Sequence, residues 1–160
     1  MSLSFRHGGA ADLAAVYQLN REIFPESWSL EGLKDALQGG YELLLCMDGD
    51  RLSGYLLSHD VLDEVHIMQI AVSPSYRRRG IAEQLSRNLL TAKHGMSLLL
   101  EVRASNRAAQ SLYEKLGFVH SGIRKAYYVP PHEGEAREDA VLMNYQPDDP
   151  ISQTSVLLCI

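Results

Sequence analysis

Long hydrophobic runs are missing from this chain. Nowhere in its 160 residues does an apolar stretch approach the roughly 18 residues that cross a bilayer, and no apolar segment of signal-peptide type stands near the start. A membrane partner is therefore not expected, and a cytoplasmic setting is. Cysteine is scarce as well: Cys46 and Cys159 are the only two, and they make neither a disulfide framework nor a paired metal motif. The six histidines (His7, His59, His66, His94, His120 and His132) lack the close spacing of a metal site, so no metal is expected. A basic excess is absent too. With 15 Lys and Arg against 20 Asp and Glu, the net charge of −5 argues against general affinity for nucleic acid or anionic membrane, which are usually met by a basic surface.

What remains is ordinary for a soluble globular protein: 46% apolar and 22% charged residues, without internal repeats or low-complexity tracts. The length suits one core. We read one domain over residues 1–146 and a tail over 147–160, polar at first and ending in Val156-Leu157-Leu158-Cys159-Ile160. That tail reads either as a loose end or as a segment docked on this chain or a neighbour.

Local patterns give the order of elements. Leu3 to His7 alternates as a strand, and Ala11 to Phe24 has helical spacing and stops at Pro25. Ser29 is a plausible cap for a second helix through Leu37, closed by Gly39-Gly40. Tyr41 to Met47 and Leu52 to His59 flank the turn signal Asp48-Gly49-Asp50 as a hairpin. Val65 to Val72 is a third strand in that run, and a helix follows with Ile81, Leu85 and Leu89 on one face. Leu98 to Arg103 is a buried strand, and a helix runs from about Arg107 to Leu116. Asn106 is placed to cap that helix and Gly117 to close it. Phe118 to Ile123 and Ala140 to Tyr145 are the last strands. The order β-α-α-β-β-β-α-β-α-β-β implies an α/β (mixed α+β) fold. Its central sheet would hold about six to seven strands with about four helices, antiparallel at the start and with one parallel crossover in the middle.

Two stretches carry chemistry. Arg77-Arg78-Arg79-Gly80-Ile81-Ala82 joins a strand to a helix whose first N–H groups have no internal partner, an arrangement that suits a pyrophosphate. The alternative is a solvated basic spot. Glu101 lies inside the apolar run Leu98-Leu99-Leu100-Glu101-Val102, where an ionised carboxylate needs a partner or a task. It can face a cleft, or it can be a structural salt bridge to Arg103 or Arg124. Tyr113 follows on the next helix, on the same face as Ala109 and Leu116, and by spacing alone reads as core.

Arg77-x-x-Gly80-x-Ala82 resembles the acetyl-coenzyme A pyrophosphate loop of the GCN5-related N-acetyltransferase (GNAT) superfamily, and the element order resembles that fold along nearly the whole chain. Three further stretches are similar to the bacterial ribosomal-protein alanine N-acetyltransferases, the RimI type. They are Leu100-Glu101-Val102-Arg103-Ala104-Ser105-Asn106, Leu112-Tyr113-Glu114-Lys115-Leu116-Gly117-Phe118 and Arg124-Lys125-Ala126-Tyr127-Tyr128. The resemblance implies acetyl-CoA as cosubstrate. Backbone groups of Ile70, Ala71 and Val72 would hold the pantetheine arm, and Arg77, Arg78, Arg79, Gly80, Ile81 and Ala82 the pyrophosphate. Asn106 would lie near the thioester, with Glu101 as general base and Tyr113 as general acid. Trp28, Tyr127 and Tyr128 would sit on the substrate side, although Trp28 also reads as a core anchor. The implied partner is a protein N-terminus, that of a ribosomal protein, with no nucleic acid and no membrane, on a monomer or weak dimer. Two alternatives share these residues: acetylation of a lysine or small-molecule amine, and a coenzyme A-binding module without turnover.

Ala82 stands where many such loops have a second glycine. The connection at Lys93 to Ser97 looks short and the tail beyond Tyr145 long.

Overall fold

The computed structural model describes residues 2–130 and 132–147; the hydrophobic tail end lies outside the described residues. Seven strands form one sheet: β1 (Leu3–His7), β2 (Glu42–Asp48), β3 (Arg51–Val61), β4 (Glu64–Val72), β5 (Ser97–Arg103), β6 (Val119–Tyr128) and β7 (Glu138–Tyr145). Four α-helices flank it: α1 (Leu13–Ile23), α2 (Leu30–Gln38), α3 (Ile81–Ala92) and α4 (Arg107–Lys115). The strand order is β1-β2-β3-β4-β5-β7-β6. Among the described residues only β4 and β5 pair in parallel, as the helical crossover between them requires.

Two apolar clusters hold the layers together. On one face, Leu13, Val16 and Leu19 of α1 and Leu33 of α2 pack on Leu43, Leu45, Tyr55, Leu57 and Ala71. On the other, Ile81, Leu85 and Leu89 of α3 and Tyr113 of α4 pack on Val65, Ile67, Leu98, Leu100, Val102 and Met143. Gly54 lets α3 come close: a Cβ there would lie 2.9 Å from the Ala71 carbonyl oxygen and 3.0 Å from Ile81 Cγ2. The expected caps are present. Ser29 Oγ accepts from the Gly32 N–H at 2.9 Å, and Asn106 Oδ1 accepts from the Ala109 N–H at 3.1 Å. Gly117 ends α4 at φ 104°.

One buried polar network was not expected from the sequence. Asn20, fully buried on α1, donates through Nδ2 to the Tyr55 hydroxyl at 3.0 Å and to Gln69 Oε1 at 2.6 Å. Its Oδ1 accepts from the Trp28 N–H at 2.7 Å. The network therefore ties the α1–α2 loop to β3 and β4. Replacing Asn20 by Ala strands the Trp28 N–H and opens a cavity, so the denaturation midpoint should fall by the equivalent of about 2–3 kcal/mol. Fluorescence of Trp28, the single tryptophan, reports whether the loop loosens with it.

Candidate active site

The crevice begins where a pairing stops. β4 and β5 pair only from Glu64–Ser97 to Ile67–Leu100. Both strands continue beyond that rung, β4 to Val72 and β5 to Arg103, without pairing to each other. A gap between the carboxyl ends of adjacent parallel strands is where α/β sheets bind ligands. At the mouth of the gap Met68 is an extra residue in β4, because Leu57 pairs with Gln69 and Ser58 with Ile67. Such a bulge re-aims the strand and its side chains. Past it, Ile70, Ala71 and Val72 pair with β3 on one side, and the side facing the gap has no strand partner among the described residues. An extended amide-bearing arm could add there as a strand.

The arginine-glycine loop follows β4 and leads into α3. Gly80 is the N-cap of α3 at φ 74°, and no side chain caps the helix. Arg78 is also left-handed, at φ 63°. Successive N–H groups in such a turn form a concavity for anions, reinforced by the positive end of the helix. Arg77 and Arg78 are exposed. The Arg79 guanidinium lies over the Tyr76 ring, 5.3 Å from its centre, so this arginine already has a structural contact that the spacing did not reveal. The loop thus fits a pyrophosphate through backbone groups of residues 78–82 and the charges of Arg77 and Arg78.

Glu101 is the first residue of β5 past the last rung shared with β4. The strand alternates, with Leu98, Leu100 and Val102 buried, so Leu99, Glu101 and Arg103 point to the face that carries α1 and α2. The Glu101 side chain is 28% exposed and its Oε1 lies 3.2 Å from Arg124 Nε. Arg103 goes elsewhere, to Glu138 at 3.2 Å and to Glu26 of the α1–α2 loop at 3.8 Å. One of the two structural salt bridges considered from sequence is therefore present, and the carboxylate is partly open to solvent all the same.

Two tyrosines stand beside it. Tyr127 and Tyr128 meet edge to face with ring centres 5.0 Å apart. Arg124 lies over the Tyr127 ring at 5.3 Å and Arg103 over the Tyr128 ring at 4.6 Å. The charge of Glu101, with burial and hydrogen bonding to the same carboxylate, raises the pKa of the Tyr127 hydroxyl. Burial, helped by the charge of Glu101, pushes that of Tyr128 up to about 12. The strand expected over Phe118 to Ile123 is longer: β6 runs through Tyr128, with its pairing to β7 interrupted between Arg124 and Tyr128.

Tyr113 is 7% exposed and stacks obliquely on Phe118, 5.6 Å between ring centres. Its pKa is raised strongly by burial and further by neighbouring Tyr128. Asn106 spends its side-chain oxygen on the cap of α4. Trp28 packs against Tyr41, 6.0 Å between ring centres, on the α1–α2 core.

Several groups that shape the site gave no motif. Gln110 Nε2 donates to the carbonyl oxygens of Arg103, at 3.2 Å, and Ala104, at 2.9 Å, pinning the turn after β5. Glu138 Oε1 accepts from the Ser105 N–H at 2.6 Å. Contacts with Ser105 and Arg103 hold the Glu138 carboxyl below its ordinary pKa. Glu26 accepts from the Val129 N–H, joining the α1–α2 loop to the end of β6. For Asn20 a sequence signal did exist, a polar residue seven positions after Leu13 on the buried stripe of α1. For the others the partner is distant in the chain. Among the described residues no cluster of His, Cys, Asp and Glu could hold a metal ion, and no helix is long and apolar enough to cross a membrane.

Residues 13–118 match the acetyltransferase (GNAT) family. The chain is 37% identical over 135 residues to the [ribosomal protein bS18]-alanine N-acetyltransferase of Salmonella typhimurium, covering 82% of this chain and 89% of that protein. The Escherichia coli K12 enzyme of the same name is 36% identical over the same shares. Among solved structures, the ribosomal-protein-S18-alanine N-acetyltransferase of Escherichia coli superposes with a TM-score of 0.85 at 30% identity, covering 93% of this chain and 97% of that one. Arabidopsis thaliana NAA60 in complex with acetyl-CoA superposes with a TM-score of 0.80 at 24% identity, over 90% of this chain and 98% of that one.

Proposed function

The chain belongs to the acetyltransferase (GNAT) family, and from that membership we propose that it moves the acetyl group of acetyl-CoA to the N-terminal α-amine of a protein, an N-terminal alanine of ribosomal protein S18 in the first place. The relatives of known name support the substrate. The observation that carries the site is the early end of the β4–β5 pairing, which opens a crevice with Glu101 at its mouth, beside the strand that leads to the anion-binding loop.

In this reading pantetheine lies along Ile70, Ala71 and Val72, and the pyrophosphate rests on residues 77–82. Asn106, held by its cap at the start of α4, lies near the thioester. The acceptor enters past Trp28, Tyr127 and Tyr128. Its neutral nitrogen attacks the thioester carbonyl, forming the C–N bond. Glu101, directly or through water, takes the proton that the nitrogen sheds. The C–S bond then breaks, and Tyr113 gives its proton to the departing thiolate. Amide and coenzyme A leave, and no enzyme-bound acyl group is formed.

The α-amine suits a single carboxylate base. Its pKa of about 7.7–8.0 leaves roughly 10–20% neutral at pH 7, whereas lysine near 10.4 leaves under about 0.1%, a difference of about 3.5 kcal/mol in deprotonation work. The direct test is coenzyme A release with two basic peptides. One starts with free alanine; the other has a blocked N-terminus and a free lysine. Turnover confined to the first is expected, and turnover confined to the second contradicts the proposal.

A further inference from the structure

We propose that Gln69 is a positioning residue of the transfer: its side-chain nitrogen holds the water through which Glu101 takes the proton of the acceptor amine. This rests on the assignment of Glu101 as base under Proposed function. The placement comes from the bulge in β4. In a regular parallel pair the residue after Ile67 would stand across from Glu101, but Met68 is the extra residue there, and Gln69 takes the rung with Leu57 of β3. Leu57, and Ala71 two residues further on, belong to the cluster under α1 and α2, so Gln69 points to that face as well. Glu101 points to the same face from β5, on the other side of the gap. The two side chains make no direct hydrogen bond; those of Gln69 go to Asn20 and Tyr55. An amide and a carboxylate that flank a gap of at least one strand spacing, about 4.8 Å, leave room for a bridging water.

A chain of donors fixes which way the Gln69 amide is turned. The Trp28 N–H can only donate, so the Asn20 atom that meets it at 2.7 Å is the oxygen. Asn20 therefore presents its nitrogen to Gln69 at 2.6 Å, and the Gln69 atom there is the acceptor, Oε1. The Tyr55 hydroxyl donates to the same oxygen at 2.9 Å; burial pushes its pKa up to about 12, so it keeps its proton near neutral pH. Tyr55 comes from β3, on the side of β4 away from β5. With the oxygen held toward β3 and α1, the nitrogen is turned toward the gap. Nε2 has no hydrogen-bond partner among the described residues, and it is not a buried unpaired atom either, so its hydrogens are available at an accessible surface. A water there accepts from Gln69 and donates to Glu101. When the acceptor nitrogen attacks the thioester carbonyl, one N–H proton passes to that water and one water proton passes to Glu101. The water ends as it began, the carboxylate becomes a carboxylic acid, and Gln69 neither gains nor loses a proton.

Two variants remove the donor in different ways. Gln69→Met keeps the length of the side chain without its hydrogen bonds. Asn20→Asp still accepts from the Trp28 N–H but offers Gln69 an oxygen in place of a nitrogen, so the Gln69 amide turns round and aims its own oxygen at the gap. With the alanine-starting peptide at saturating acetyl-CoA, kcat should fall about tenfold to a hundredfold in both, with the peptide KM little changed. The solvent deuterium isotope effect on kcat should rise, because the proton step has become the slow one. Trp28 fluorescence should stay that of wild type, since Asn20→Asp leaves the loop anchored; if Gln69→Met does not fold, Asn20→Asp decides alone. Wild-type kcat in the folded variants overturns the inference. So does a loss carried by KM, with shifted Trp28 emission and an unchanged isotope effect, which would leave Gln69 as a support of the α1–α2 loop. Glu101→Gln, assayed alongside, tells the two failures apart: inactive, it confines the failure to Gln69, and at the wild-type rate it removes the base assignment as well.

Discussion

Glu101→Gln should lose roughly a hundredfold to ten-thousandfold in kcat, the range set by removal of a general base. Glutamine keeps the shape and some hydrogen-bonding capacity of the side chain but does not accept the proton. Glu101 is partly exposed and not part of either apolar cluster, so the fold should survive and the melting temperature should change little. Affinity for acetyl-CoA should be unchanged, because the proposed pyrophosphate and pantetheine contacts come from the loop of residues 77–82 and from β4. Single-turnover rates, with cofactor affinity measured separately, distinguish this from a binding defect. Wild-type turnover in Glu101→Gln would sink the base assignment and leave the carboxylate as the structural partner of Arg124.

Tyr113→Phe is the second large effect, and it separates activity from stability. The Tyr113 hydroxyl has no hydrogen-bond partner among the described residues, so its loss strands no buried group; the ring packing on Phe118 is retained. Stability should change little, because the hydroxyl gives up no hydrogen bond within the described residues. Activity should nevertheless fall about a hundredfold, the lower end for loss of a general acid, since a thiolate is already a fair leaving group. The raised pKa of Tyr113 comes first from burial, and burial disfavours the charged form. The phenol therefore stays protonated as pH rises through the ordinary assay range, and no alkaline loss of rate should come from it. Equal turnover in Tyr113→Phe would return Tyr113 to the core role that its helical spacing suggests.

The physical origin of each feature decides how much of it the sequence discloses. The order of strands and helices is legible because its signals are local: Asp48-Gly49-Asp50 between two strands, Ser29 and Asn106 at helix starts, Gly117 at a helix end. Glu101 stands out because a carboxylate inside a leucine run conflicts with burial. The length of β6 is hidden. It is an edge strand, almost wholly exposed, so no core demands alternation past Ile123. The partners of Glu101 are hidden too, because the last strand, β7, inserts between β5 and β6. Only that order shows that it is Arg124 that reaches Glu101, while Arg103, two residues away, turns to Glu138. Asn20 with Gln69, and Glu26 with Val129, are likewise pairs of distant segments that no local pattern announces.

The most direct measurement uses one peptide that starts with alanine, carries a basic sequence and contains an internal lysine, incubated with acetyl-CoA and wild-type protein. Tandem mass spectrometry then locates the acetyl group. A single acetyl on the alanine nitrogen is expected, absent when Glu101→Gln replaces wild type over the same time. Acetylation on the lysine side chain with the N-terminus left free would contradict it.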